Sequence, residues 1–281
     1  MAKSASLARL HVLLAREAAA AVVIRRGPAK AVGIFGWNRE TGEITPGQWL
    51  RGRIYERRCD LSPDGRHLIY FAMNGKWQDP VSKGSWTAIS RAPWLKAVTF
   101  YPWGDCWVGG GLFLDNRRYW LNGGGGPGPM GWESPDLVRD ETFRPEGYGN
   151  NECLGVYFPR LMRDGWERLN YDPAHPRPGL HETVEFRKPL AGGWMLWKAA
   201  RAGGAPRGRA IYWDTHMLEG PGGELLDRPQ WDWADRDGDC LLYAEGGCLW
   251  RQGIGAAGSL AEPVLIHDFN PDRFAAVEAP Y

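Results

Sequence analysis

The chain has 281 residues, 43% of them hydrophobic, with 38 Gly, 21 Pro and 16 Trp, enough apolar material for a packed core and too much for disorder. A formal net charge of +1 provides no global field that would draw nucleic acid or a membrane surface. The Gly and Pro content favours many short strands joined by turns over helices.

Residues 4–20 read as a short N-terminal helix or leader, capped by Ser4 or Ser6, with Leu7, Leu10, Leu13 and Leu14 on one face. Strands are expected from there onward. Residues 21–24, 31–37 and 43–50 form a meander with tight links. Residues 53–61 and 66–73 flank the turn Ser62-Pro63-Asp64-Gly65. In such a turn Pro presets φ, Asp bonds nearby backbone and Gly accepts a positive φ. Further strands are expected at 85–90, 97–101, 106–114 and 118–121. The rhythm breaks at 122–152, which holds the run Gly123 to Gly126 and no clear strand. That is far longer than the usual link of ~4–6 residues, so it reads as a loop insertion. Strands resume at 154–158, 165–169, 181–186, 193–199 and 209–213. A last group spans 231–233, 240–243, 248–251 and 264–269.

The stretch Asp60-Leu61-Ser62-Pro63-Asp64-Gly65-Arg66-His67-Leu68-Ile69-Tyr70 resembles the repeat of TolB-type, WD-like β-propellers. A weaker copy at 235–243 has Asp-Arg-Asp-Gly where the first has Ser-Pro-Asp-Gly. The resemblance implies an all-β fold and a habit of binding partners through the ring faces. Meander groups recurring at roughly 40–55 residues agree with four-stranded blades. The expectation is a single β-propeller over 21–281 with about five blades, or six, preceded by the short N-terminal helix.

Charge is uneven along the chain. Residues 1–60 carry 11 Lys/Arg against 5 Asp/Glu, whereas residues 221–281 carry 4 against 11. Opposite charge at the two ends would favour closure of a ring, weakly for surface pairs. A basic patch of Arg51, Arg53, Arg57 and Arg58 is the competing, nucleic-acid reading, and the neutral whole argues against it. Five cysteines (59, 106, 153, 240, 248) include no C-x-x-C pair, which argues against a disulfide framework and a zinc site. Cys59, Cys106, Cys153 and Cys240 read as small buried hydrophobes of a reducing compartment. No apolar run approaches the ~18 residues of a membrane helix, and the cytoplasm is the expected location.

Motifs for chemistry are incomplete. The run Gly123-Gly124-Gly125-Gly126-Pro127-Gly128 lacks the Lys of a phosphate loop. In Asp235-Arg236-Asp237-Gly238-Asp239 the glycine comes fourth rather than sixth, and Gly246 stands where a calcium loop needs Glu; it reads as a charged hairpin turn. No Gly-x-Ser-x-Gly is present. Asp105, Asp115, Glu152, Asp214 and Asp232 lie near strand ends and are the carboxylates a hydrolase of this shape would draw on. Asp214 and His216 share one face of a strand, as a base and its orienter would; the pair reads as a solvated strand end and joins the expected binding residues.

The expected function is a non-catalytic interaction or scaffold protein, without cofactor or metal, that offers one ring face and the 122–152 loop to a protein partner. Trp132, Tyr148, Asn150 and Asn151 are its expected binding residues. The alternative is a carbohydrate-binding or carbohydrate-hydrolysing protein with Trp103, Trp107, Trp120, Trp132 and Trp213 as stacking platforms. Where the Trp side chains point discriminates the two.

Overall fold

The computed structural model describes residues 7–27, 30–123, 131–145, 153–169, 183–202 and 211–281. The chain resolves into two compact units, Val12–Arg160 with Asp272–Tyr281, and Met1–His11 with Leu161–Pro271. The boundaries fall within the first strand and within a helix.

In the first unit, strands consecutive in sequence build each sheet. Sheet 1 runs β1 (Arg9–Leu14), β2 (Ala20–Arg26), β3 (Ala31–Asn38) and β4 (Ile44–Arg51) in that order. Sheet 2 contains β5 (Arg53–Ile54), β6 (Asp60–Leu61), β7 (His67–Met73), β8 (Ser85–Arg91) and β9 (Ala97–Pro102). Both short strands pair with β7, and β8 and β9 follow it antiparallel. Sheet 3 is β10 (Gly111–Phe113), β11 (Arg118–Leu121) and β12 (Val138–Arg139). β12 joins parallel to β11.

The three sheets stack. β7 explains how: its run Leu68-Ile69-Tyr70-Phe71 is apolar throughout because both faces are covered. Leu68 and Tyr70 pack with Val22, Ile24, Val32 and Ile34 of sheet 1. Ile69 points the other way and packs with Phe113, Tyr119 and Leu121 of sheet 3. The far face of sheet 3, through Leu112 and Trp120, is covered by Val156 of the helix α1 (Leu154–Arg163).

The turn at Ser62 follows from its residues. Gly65 has φ 75° and its N–H donates to the Ser62 carbonyl at 2.8 Å. The Ser62 hydroxyl donates to Asp64 at 2.6 Å and accepts from the His67 N–H at 2.9 Å. Asn116 caps the Asp64 N–H at 2.8 Å.

The second unit holds two sheets. Sheet 4 is β13 (Glu167–Arg168), β14 (Val184–Pro189), β15 (Met195–Ala202), β16 (Tyr212–Glu219) and β17 (Leu225–Arg228) in sequential antiparallel order. Sheet 5 is β18 (Trp231–Asp237), β19 (Cys240–Glu245), β20 (Cys248–Gly253) and β21 (Val264–Asp268). The expected charged turn closes β18 onto β19, with Asp237 opposite Cys240 and Gly238 at φ 57°. The protein is thus all-β, with five sheets of three to five strands and, among the described residues, a single α-helix.

Three expectations need correction. The N-terminal helix is absent over 9–14: these residues are β1, with Leu10 to Leu13 all buried. A short apolar run satisfies helix and buried-strand spacing alike, and pairing with β2 decides it. Conversely 154–158 opens α1 instead of forming a strand; Val156, Tyr157 and Phe158 are all buried there. Finally, Cys106 is exposed on the loop after β9, so the strand expected over 106–114 shrinks to β10; Cys240 is only partly buried, while Cys59 and Cys153 are buried as expected.

Candidate functional site

Within the 122–152 segment, the described stretch 131–145 is fastened along two strand edges of the first unit. At the outer edge of β9, the Phe100 N–H donates to the Trp132 carbonyl at 2.8 Å. A side chain at Gly131 would collide with the Phe100 carbonyl, so this approach needs glycine. Ser134 N–H donates to Thr99 Oγ1 at 3.0 Å. Leu137 is buried, and β12 then zips onto β11, with Val138 and Asp140 N–H groups donating to the Arg117 and Tyr119 carbonyls at 2.9 and 2.8 Å. Asp140 closes the ledge by accepting from Thr142 Oγ1 and from the Thr142 and Phe143 N–H groups. Those bonds hold its carboxyl below the ordinary range.

Trp132 is the centre of this ledge. Its ring stacks on Phe100 with centroids 4.8 Å apart and planes 12° from parallel, and Nε1 donates to the Ala97 carbonyl at 3.3 Å. The indole is therefore held in place, yet Trp132 remains 48% exposed.

Beside it, Glu133 ends a chain of hydroxyls. Tyr101 donates to Glu133 Oε1, so the 2.7 Å bond between Tyr101 and Tyr119 is donated by Tyr119. Burial, then Glu133 and Tyr119, push the Tyr101 hydroxyl far above its ordinary value; burial also raises Tyr119. Both stay protonated across physiological pH. The arrangement presents a fixed aromatic face beside a carboxylate. No local pattern marks Glu133, Tyr101 and Tyr119 as a set; they meet only because sheets 2 and 3 stack.

Tyr148, Asn150, Asn151 and the carboxylate Glu152 lie outside the described residues. Asp214 and His216 are in the second unit, on one face of β16, across from Ala200 and Lys198 respectively. His216 is 3% exposed, so it is buried within the sheet and not at a solvated strand end; it lies between Lys198 and Arg228, with the Trp231 ring 6.4 Å away. Next to it is a set that sequence reasoning missed. Lys188 pairs with Asp235 at 2.5 Å, Trp166 Nε1 donates to the same carboxylate at 3.4 Å, and the 2%-exposed Lys198 sits 4.3 Å over the Trp166 ring. Burial opposes the charge on Asp235, but Lys188 and Lys198 outweigh it and lower its carboxyl. Alternation along β18 could have flagged Asp235 as inward; only sheet packing supplies its partners.

Asp105 and Asp115 hold turns. Asp105 accepts from the Trp107 N–H at 3.0 Å. Arg118, together with the Arg117 and Arg118 N–H groups, holds Asp115 at about 2. No group of His, Cys, Asp and Glu that could hold a metal occurs among the described residues. Of the tryptophans named for stacking, Trp103 and Trp120 are buried, Trp213 is half-buried, and Trp107 and Trp132 are exposed.

No family model matches the chain, and no curated protein matches it. Among solved structures it is similar to the tricorn protease, at 11% identity and a TM-score of 0.23, over 92% of this chain and 26% of that one. The chain therefore spans about a quarter of the length of the protein it matches, and a likeness at that score carries no structural argument.

Proposed function

We propose that this protein is a non-catalytic interaction module built from propeller-type blades, presenting the 131–145 ledge to a protein partner. Sequential strands in each sheet and the face-to-face stack of sheets 1 to 3 support the blade reading. The observation that carries the functional reading is Trp132, half exposed yet fixed by ring stacking and an indole hydrogen bond. A preorganised aromatic loses little entropy on binding, and such residues dominate interface energies. Trp132→Ala is expected to weaken the partner by about 2 kcal/mol, roughly 30-fold. Affinity purification of the tagged protein with and without this substitution, read by mass spectrometry, tests it. A partner recovered in one-to-one amount and lost from a folded Trp132→Ala protein supports the reading; undiminished recovery refutes it.

The glycan-binding alternative keeps one supporting observation. Trp77 (48% exposed) and Trp107 (65% exposed) lie on loops that leave the same end of sheet 2. Against it, half of the sixteen tryptophans are buried. Saturable binding on a glycan array that Trp107→Ala removes would favour it over the protein partner.

A further inference from the structure

Residues 272–281 run along the first unit without joining any sheet, and side chains hold them there. The Phe274 ring lies 4.6 Å from the Arg51 guanidinium and 6.3 Å from the Trp49 ring. Gln48 donates its amide N–H to the Val277 carbonyl at 2.8 Å. Its carbonyl oxygen accepts from the Leu95 and Lys96 N–H groups at 2.8 and 2.9 Å, which fixes its orientation. The Tyr281 ring lies 4.8 Å from the Arg91 guanidinium and 5.4 Å from the Lys96 ammonium. Its hydroxyl accepts from the Arg91 N–H at 3.0 Å and donates to the Lys96 carbonyl at 2.6 Å. Asp272 supplies a negative charge toward Arg25, whose guanidinium lies 5.4 Å from the Trp49 ring.

The receiving surface is thus a cationic and aromatic groove formed by Arg25, Gln48, Trp49, Arg51, Arg91 and Lys96. Its occupant is extended, offers rings at positions 274 and 281 and a carboxylate at 272, and leaves 273–278 exposed. Few of its atoms are desolvated, so the hold is weak per residue and depends on being tethered, that is, on effective concentration. Tethered, weak and extended is the arrangement of a ligand that can be exchanged. The basic excess of the first 60 residues and the acidic excess of the last 61 meet here in part, at Arg25 and Asp272.

We propose that this groove is a peptide-docking site occupied in cis by residues 272–281, and that it takes in trans an extended peptide with an acidic residue followed by two aromatic residues at the same spacing. The site does not depend on the Trp132 ledge. A fluorescein-labelled synthetic peptide of sequence 272–281 is the probe, read by anisotropy against the full chain. The Phe274→Ala/Tyr281→Ala protein, whose groove is vacated, is expected to bind it saturably and at least about tenfold tighter than the unsubstituted protein, where the tethered copy competes. Adding Gln48→Ala should abolish that gain. Tyr281→Phe, which removes only the two hydroxyl bonds, keeps the ring and guards against misfolding; it should fall between the two. Trp132→Ala should leave peptide binding unchanged, which separates this site from the proposed partner face. The proposal is overturned if the vacated, folded protein shows no saturation at millimolar peptide, if vacating the groove brings no gain over the unsubstituted chain, or if Gln48→Ala leaves binding intact.

Discussion

At the scale of single residues, burial decides what the ionisable groups do. Burial pushes the Cys59 and Cys153 thiols up in spite of nearby Arg160 and Arg58, and burial with Asp268 raises Cys248 to about 11. Cys106 alone among the five is exposed. A disulfide reagent should therefore label Cys106 first in the native protein, and Cys59 and Cys153 only on unfolding; peptide mapping identifies the order, and early labelling of Cys59 would contradict the packing described. Asp235 gives the second prediction. Its folded value is depressed, so its stabilisation is fully present above the unfolded value of ~3.9 and disappears as pH falls through the folded value. Asp235→Asn removes the carboxylate shared by Lys188 and Lys198 and should cost about 3 kcal/mol at neutral pH. Urea unfolding at a series of pH values should show that this cost shrinks toward acid; a cost independent of pH would mean the ion pair is not its source.

At the scale of elements, local chemistry and tertiary cover contribute differently. The hairpin at Ser62–Gly65 was legible because each residue type has a fixed part in it: Gly65 takes a positive φ and the Ser62 and Asp64 side chains satisfy the turn backbone. Gly65→Ala puts a Cβ in the left-handed region and against the Ala20 Cβ, and should cost about 2 kcal/mol. Thermal unfolding checks this, and an unchanged midpoint would show that the turn adapts. β1 and α1 were misread for one reason. Residues 10–13, apolar except for His11, and Val156 to Phe158 are short buried runs whose period is ambiguous, and what resolves them is the partner each finds: β2 in one case, the covered face of sheet 3 in the other. The ledge was legible only at Trp132, a large aromatic in a glycine-rich stretch; β12 is two residues long and exists because the β11 edge was open to it.

At the scale of the whole molecule, each unit encloses buried side chains of its own. Gly65 belongs to one and Asp235 to the other. Substitutions that share no partners add within about 0.5 kcal/mol. The Gly65→Ala/Asp235→Asn protein should therefore lose the sum of the two single effects, measured by urea unfolding. A loss well beyond the sum would show that the units stabilise one another. Among the described residues no helix is long and apolar enough to cross a membrane.

By itself the sequence determined the all-β class and the two hairpin turns, because turn chemistry and strand propensity act over a few neighbouring residues. Only tertiary structure decided that residues 9–14 are a strand, that Tyr119, Tyr101 and Glu133 form one chain, that Lys188 and Lys198 share Asp235, and that residues 272–281 fill the groove beside Gln48. Those partners are tens to hundreds of positions apart in the chain, and what brings them together is the cover each apolar face requires, a condition set by the stack of sheets rather than by any local pattern.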